Sequence, residues 1–172
     1  MRILGTMKTA KLILLIAFST GIFSSYGQVP PKNDIQWSDW NTGYQLAKQE
    51  GKIIILNLYT DWCGWCKKMD KETFTNPEVV NLVSSEFVAI RLNPEKPEAI
   101  YYYKGKKVSA KQLLAILSKN QGDIKYPAIL FIYPENDIVY SEEGFQKATV
   151  FKQLLKIHLS ELQKITSRAS NQ

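Results

Sequence analysis

Cysteine and histidine are scarce in this chain: two cysteines and one histidine among 172 residues. A multi-bridge disulfide scaffold, a haem pocket with a second ligand, or a four-ligand zinc site within one chain needs more than that. Long apolar runs are missing too. The stretch from Leu12 to Phe23 is about 12 residues, short of the roughly 20 that cross a bilayer. No internal repeat is visible, and 9 glycines and 7 prolines are too few for a collagenous or low-complexity chain. Acidic residues are absent before position 28, where Arg2, Lys8 and Lys11 are the only charges. Without those three, 19 of the 22 basic residues face 16 acidic ones, so the net charge of +6 falls to +3. That small excess gives no reason to expect nucleic acid as a partner. What remains is ordinary: 45% hydrophobic and 22% charged residues, a composition that folds. A chain of this length favours one domain and buries about 70% of its unfolded surface without staples.

The N-terminus reads as an address. Lys8 and Lys11 precede the apolar run Leu12 to Phe18, and Ser25-Tyr26-Gly27 forms a small-x-small end. This pattern predicts a secretory signal peptide over 1–27, cleaved after Gly27, and membrane contact through that segment only. The predicted location is therefore exported, periplasmic or secreted, where a disulfide is permitted. Residues 28–36 then form an extended, proline-containing leader, 37–163 the folded domain, and 164–172 a polar, flexible tail.

Within the domain, Trp40, Tyr44 and Ala47 recur at helical spacing in a helix predicted over 37–50 and closed by Gly51. The nearly continuous apolar run 52–59 reads as a strand covered on both faces. A helix follows from about Cys63 to Lys71. Asn76-Pro77-Glu78 is a strong helix start, with Val79, Val80 and Val83 as its apolar stripe. Further strands are read at 87–92 and 128–133, a small hairpin over 99–108, and a helix capped by Ser109 through about Lys119. Residues 138–142 return as a hairpin strand. The last helix is read over 148–163, with Phe151, Leu154, Leu155, His158, Leu159 and Leu162 on one face. This order implies an α/β layered domain.

The chemistry concentrates in Cys63-Gly64-Trp65-Cys66. Alone, a C-x-x-C is equally half of a zinc site, and a static structural disulfide is a further reading. Its position, after a buried-type strand and at the start of a helix, favours redox work. One helical turn brings the two sulfurs within bridging distance. The helix start favours negative charge on the first of them. Cys63 is then the exposed attacking thiolate, and Cys66 the thiol that resolves the mixed disulfide. Lys67 and Lys68 are candidates for stabilising that thiolate, with plain solvation as the competing reading. Met69 reads as packing rather than copper handling, and His158 as a packed, hydrogen-bonded residue rather than a catalytic one. Tyr101 to Tyr103 and the neighbouring lysines read as a solvated hairpin.

Tyr59-Thr-Asp-Trp-Cys-Gly-Trp-Cys-Lys67, followed later by Tyr126-Pro127 directly before AILFIY, resembles the thioredoxin-like superfamily. The longer run from Asp61 to Val80 is similar to exported thioredoxin-like proteins. It is also similar to the periplasmic thioredoxin-like domain of bacterial transmembrane thiol–disulfide interchange proteins. The resemblance implies a central mixed β-sheet flanked by helices and a cis bond before Pro127; the 33 residues between Asn93 and Pro127 exceed the minimal fold, so the hairpin and helix read at 99–119 are expected to be an insertion before the strand that follows the proline. The resemblance also implies catalysis by Cys63 and Cys66, and substrate contacts from Trp62, Gly64, Trp65, Tyr126 and Pro127. No metal or organic cofactor is implied. Asn57 departs from the pattern. It stands where thioredoxin has a buried aspartate, and an amide cannot accept the Cys66 proton, so water or another group must.

The expected function is reduction of disulfides in exported proteins. Electrons would come from a membrane thiol donor in trans, because the chain has no second C-x-x-C. A disulfide oxidant or isomerase is the alternative within the same chemistry. A binding module or metallochaperone with a structural cysteine pair is the alternative outside it.

Overall fold

The computed structural model describes residues 34–96, 99–119 and 124–170. The segment expected to be a signal peptide, 1–27, and most of the expected leader lie outside these residues.

Helix α1 (Trp40–Glu50) opens on Asp39, whose carboxylate accepts the Thr42 N–H, and closes on Gly51 at φ 63°. The left-handed conformation suits glycine and lets its N–H cap Ala47. The helix therefore starts three residues later than its pattern suggests. Ser38 is held extended by a bridge to Ile90, and Trp37 instead packs edge-on against Phe74. Strand β1 (Ile53–Leu58) follows, buried at all six positions. Helix α2 (Gly64–Glu72) leads to α3 (Pro77–Glu86), where the Asn76 side chain accepts the N–H groups of Glu78 and Val79. Then come β2 (Phe87–Leu92), the hairpin β3 (Tyr101–Tyr103) and β4 (Lys106–Val108), and α4 (Ala110–Leu117), which opens on a reciprocal Ser109–Gln112 capping box. Strands β5 (Ala128–Tyr133) and β6 (Ile138–Glu143) precede the long helix α5 (Ala148–Ala169).

Four strands form one mixed sheet in the order β2-β1-β5-β6, with β1 parallel to β2 and antiparallel to β5. Alternation along the strands divides the core into two layers. Ile53 and Ile55 face Met69 of α2, Val79, Val80 and Val83 of α3, and Phe151 and Leu155 of α5. Ile54, Leu56 and Leu58 face Trp40, Tyr44 and Ala47 of α1 and Leu113 and Leu117 of α4. This double coverage is why β1 reads as a nearly unbroken apolar run.

The hairpin is a separate two-stranded sheet, whereas α4, expected as part of the same insertion, buries Leu113 and Leu117 in the core beside α1. Nor is the hairpin merely solvated. Trp40 Nε1 donates to the Tyr102 carbonyl at 3.1 Å, and Tyr103 packs against Trp40 and Tyr44. Of the three tyrosines, only Tyr102 is exposed, at 54%, together with residues 104–107. Helix α5 runs to Ala169 rather than stopping near 163, because Ile165 prolongs its apolar stripe one turn beyond Leu162. His158 is packed, as expected: its Nδ1 lies 2.8 Å from the Tyr133 hydroxyl and its ring stacks on Phe131 at 3.8 Å. Met69 is fully buried.

Candidate active site

The end of β1 and the start of α2 together place the cysteines. Cys63 is the N-cap of α2, its N–H bonded to the Thr60 carbonyl at 3.2 Å. As N-cap its Sγ accepts the Cys66 N–H at 3.0 Å, taking a backbone donor that has no partner within the helix. The two sulfurs are joined in a disulfide, with Cα atoms 5.3 Å apart. Exposure does not distinguish them. Each residue is 4% accessible, so Cys63 is not the open sulfur expected from its place at the helix start. It is bonded to Cys66, one turn further into the helix.

Two exposed indoles flank the pair, Trp62 at 68% and Trp65 at 59%. Both are large apolar groups left open to solvent next to the disulfide in sequence. Each is braced by partners from distant segments. Trp62 Nε1 lies 3.0 Å from both carboxylate oxygens of Glu95, and its ring meets Tyr126 edge-on at 6.2 Å. Trp65 packs against Phe145 at 5.8 Å, and Lys68 Nζ sits 5.0 Å from the centroids of both rings. The Trp62–Tyr126 contact brings the segment before β5 to the cysteines. There the Tyr126–Pro127 bond is cis, Pro127 is buried, and its carbonyl accepts the Gly144 N–H at 2.8 Å. Gly64 is exposed, with nothing within 4 Å of where a Cβ would stand. The seven residues expected at the site thus lie on two segments that meet through Trp62 and Tyr126.

Glu95, Phe145 and the cation–π seat of Lys68 were not foreseen. Glu95 lies three residues past the end of β2 and Phe145 two past the end of β6, and only the closed fold brings them to the tryptophans. Beneath the site, Asn57 is 2% exposed and paired in register with Arg91 of β2. Arg91 Nη2 binds Asp70 Oδ2 of α2 at 2.6 Å, and its guanidinium lies 4.2 Å from the Tyr59 ring centroid. Among the described residues, Arg91 Nε and Thr60 Oγ1 are buried without hydrogen-bond partners. No cluster of three or more His, Cys, Asp or Glu suited to a metal occurs among those residues.

This geometry is that of a thioredoxin fold carrying a disulfide at its helix start, and known proteins agree. A thioredoxin-fold protein from Helicobacter pylori matches 66% of this chain and 73% of its own, at TM-score 0.53 and 20% identity. A solution structure from Bacteroides thetaiotaomicron, described as a candidate disulphide-isomerase, matches 73% of this chain and 91% of its own, at TM-score 0.51 and 26% identity. In sequence, the thiol:disulfide interchange protein DsbD of Tatumella citrea is 35% identical over 91 residues, 52% of this chain and 15% of that protein. The chain spans 6–15% of the length of such curated relatives. A family model described as Thioredox_DsbH, protein of unknown function (DUF255), matches residues 21–171. The chain therefore belongs to the Thioredox_DsbH family.

Proposed function

We propose that the protein is an exported thiol–disulfide oxidoreductase that reduces disulfides in periplasmic or secreted proteins, recharged by a membrane thiol donor in trans. The observation that carries this reading is the Cys63–Cys66 disulfide seated on the first turn of α2, with exposed Trp62 and Trp65 next to its cysteines in sequence and Trp62 in contact with Tyr126 of the cis-proline segment. Export rests on the N-terminal pattern, and the reducing direction on the resemblance to interchange proteins.

In the dithiol form, the Cys66 N–H and the helix start favour negative charge on Cys63. That thiolate attacks one sulfur of a client disulfide. A Cys63–client bond forms, and the other client sulfur leaves as thiolate. Cys66 then loses its proton and attacks Cys63 Sγ. The Cys63–Cys66 bond forms, and the client departs with both sulfurs reduced. Two electrons have passed to the client, and a dithiol donor must return them. Trp62, Trp65 and Tyr126 supply the apolar contacts that hold an extended client segment over the pair.

A redox titration read by tryptophan fluorescence tests the direction. A midpoint near roughly −270 mV is expected of a reductant, one above about −180 mV indicates an oxidant or isomerase, and one below about −300 mV leaves a structural bridge. In parallel, Cys66→Ser should accumulate client proteins disulfide-bonded to Cys63. The double variant lacking both sulfurs should accumulate none.

A further inference from the structure

Beyond the N-terminal segment, the positive charge of the chain is gathered in one place. Residues 99–119 hold five lysines (104, 106, 107, 111 and 119) and no acid, whereas the rest of 28–172 holds 14 basic and 16 acidic residues. Lys104 is paired with Asp137 at 2.5 Å, but Lys106, Lys107 and Lys111 are exposed and make no ion pair among the described residues. Lys111 stands in the first turn of α4, where the helix dipole disfavours a cation and no acid offsets it. Register sets Tyr102 directly opposite Lys107, so the two share one face of the hairpin. Tyr101, Tyr103 and Val108 pack on the core from the other face. The outer face thus shows Tyr102 at 54% exposure beside a lysine, with Ile100 at 47% two residues earlier. Helix α1 holds this face in place. The Asn41 side chain donates to the Ile100 carbonyl at 3.0 Å and accepts the Tyr102 N–H at 2.8 Å, while Trp40 Nε1 donates to the Tyr102 carbonyl. The Lys104–Asp137 pair fixes the tip at the turn between β5 and β6. Strand β5 begins at Ala128, opposite Leu58 near the cysteines, and ends at Tyr133, so the tip lies at the far end of the sheet from the redox pair.

We propose that this hairpin, through Ile100, Tyr102, Lys106 and Lys107 with Lys111 of α4, docks on an anionic phospholipid surface. Charge complementarity names the chemistry: unpaired lysines with no acid among them gain from the negative potential of such a surface. A tyrosine ring, apolar in body and polar at its tip, suits the level of the lipid headgroups. The size of the face argues against a folded protein as the occupant. A specific protein interface buries about 800 Å² on each side. Two three-residue strands offer far less, and a lipid surface needs no shaped counterpart. The proposal goes beyond the oxidoreductase reading and does not depend on it. A surface bound at the hairpin tip leaves the Cys63–Cys66 pair, at the other end of the sheet, uncovered.

Co-sedimentation of the full chain with vesicles tests this, using phosphatidylcholine alone and an equimolar mixture with phosphatidylglycerol. The basic N-terminal segment is common to parent and variants, so its own binding cancels in the ratio of their partition coefficients. Lys106→Gln/Lys107→Gln/Lys111→Gln should lower partition onto the anionic vesicles by about 10²-fold at low salt and leave the neutral ones unchanged. The matching triple arginine variant should bind as the parent does, and Tyr102→Ser should weaken binding by a smaller factor. Salt near 1 M, where the screening length falls to about 3 Å, should remove the preference for anionic lipid. Amide hydrogen exchange places the contact: residues 101–108 should exchange more slowly on anionic vesicles in the parent and not in the triple glutamine variant. An unchanged urea midpoint of that variant shows that its fold is kept, as expected for exposed, unpaired side chains. Equal partition of parent and triple glutamine variant, or exchange at 101–108 that anionic vesicles leave unaltered, would overturn the proposal. Tighter binding to polyglutamate than to anionic vesicles, lost in the same variant, would put an acidic protein in place of the lipid and overturn it as well.

Discussion

His158 shows what a single residue contributes when the fold removes it from water. It is 6% exposed, sandwiched among Phe131, Tyr133 and Tyr140, and burial pushes its pKa down to about 4 from an ordinary value near 6.5. The unfolded chain therefore binds this proton more readily than the folded one between those two values. Stability should be full above about pH 6.5 and fall as the pH drops towards 4, by about 2–3 kcal/mol from this residue. Urea midpoints at pH 7 and pH 4.5 should differ by less in His158→Gln than in the parent, and an equal drop in both would remove His158 as the cause. The packed role was legible in the sequence because His158 falls on the apolar stripe of the last helix. The Asp70–Arg91 pair was not, since an acid on a helix and a base on a strand look like two solvated charges until the register of β1 and β2 brings them together.

At the scale of elements, capping chemistry carried most of the reading. Asn76 and Ser109 are legible as caps in the sequence and each does cap its helix through its side chain, whereas Asp39, which caps α1 in the same way, is not part of that reading. What the linear pattern missed were consequences of contact between elements: the late start of α1, the extra turn of α5, and the docking of the hairpin on α1. Gly43 belongs with these. It reads as a weak point in α1, yet a Cβ there would stand 2.5 Å from Ile90 Cγ1 and 2.7 Å from Cδ1. The glycine lets the helix approach β2 closely. Gly43→Ala gains about 1 kcal/mol of helix propensity and meets an overpacking cost of about 1–3 kcal/mol, so the net effect should be destabilising. Chemical denaturation should give a lower midpoint, and Ile90→Val in the same background should recover part of it by removing Cδ1. A Gly43→Ala protein as stable as the parent would mean that the helix shifts away without cost.

For the molecule as a whole, the redox state and the folding equilibrium are coupled, because both forms of the cysteine pair can fold and unfold. The disulfide spans a sequence separation of only 3, so its effect on the entropy of the unfolded chain is small. A difference in stability between the oxidised and reduced proteins then reports what the folded site itself prefers. A fold that stabilises the dithiol is a strong oxidant, while a reductant has the opposite preference. The arrangement has features of both. The Cys66 N–H and the start of α2 favour a Cys63 thiolate, which stabilises the reduced form. Burial of both cysteines at 4% exposure disfavours that charge and favours the neutral disulfide. The proposed reducing role requires burial to win. The oxidised protein should then unfold at higher urea than the reduced one, and each 1.4 kcal/mol of difference corresponds to about 30 mV in potential. Paired denaturation curves with and without a dithiol reductant measure this directly. A reduced protein more stable than the oxidised one would reverse the proposed direction of electron flow, so that clients would be dithiols rather than disulfides, and would leave the geometry of the cysteine pair as described.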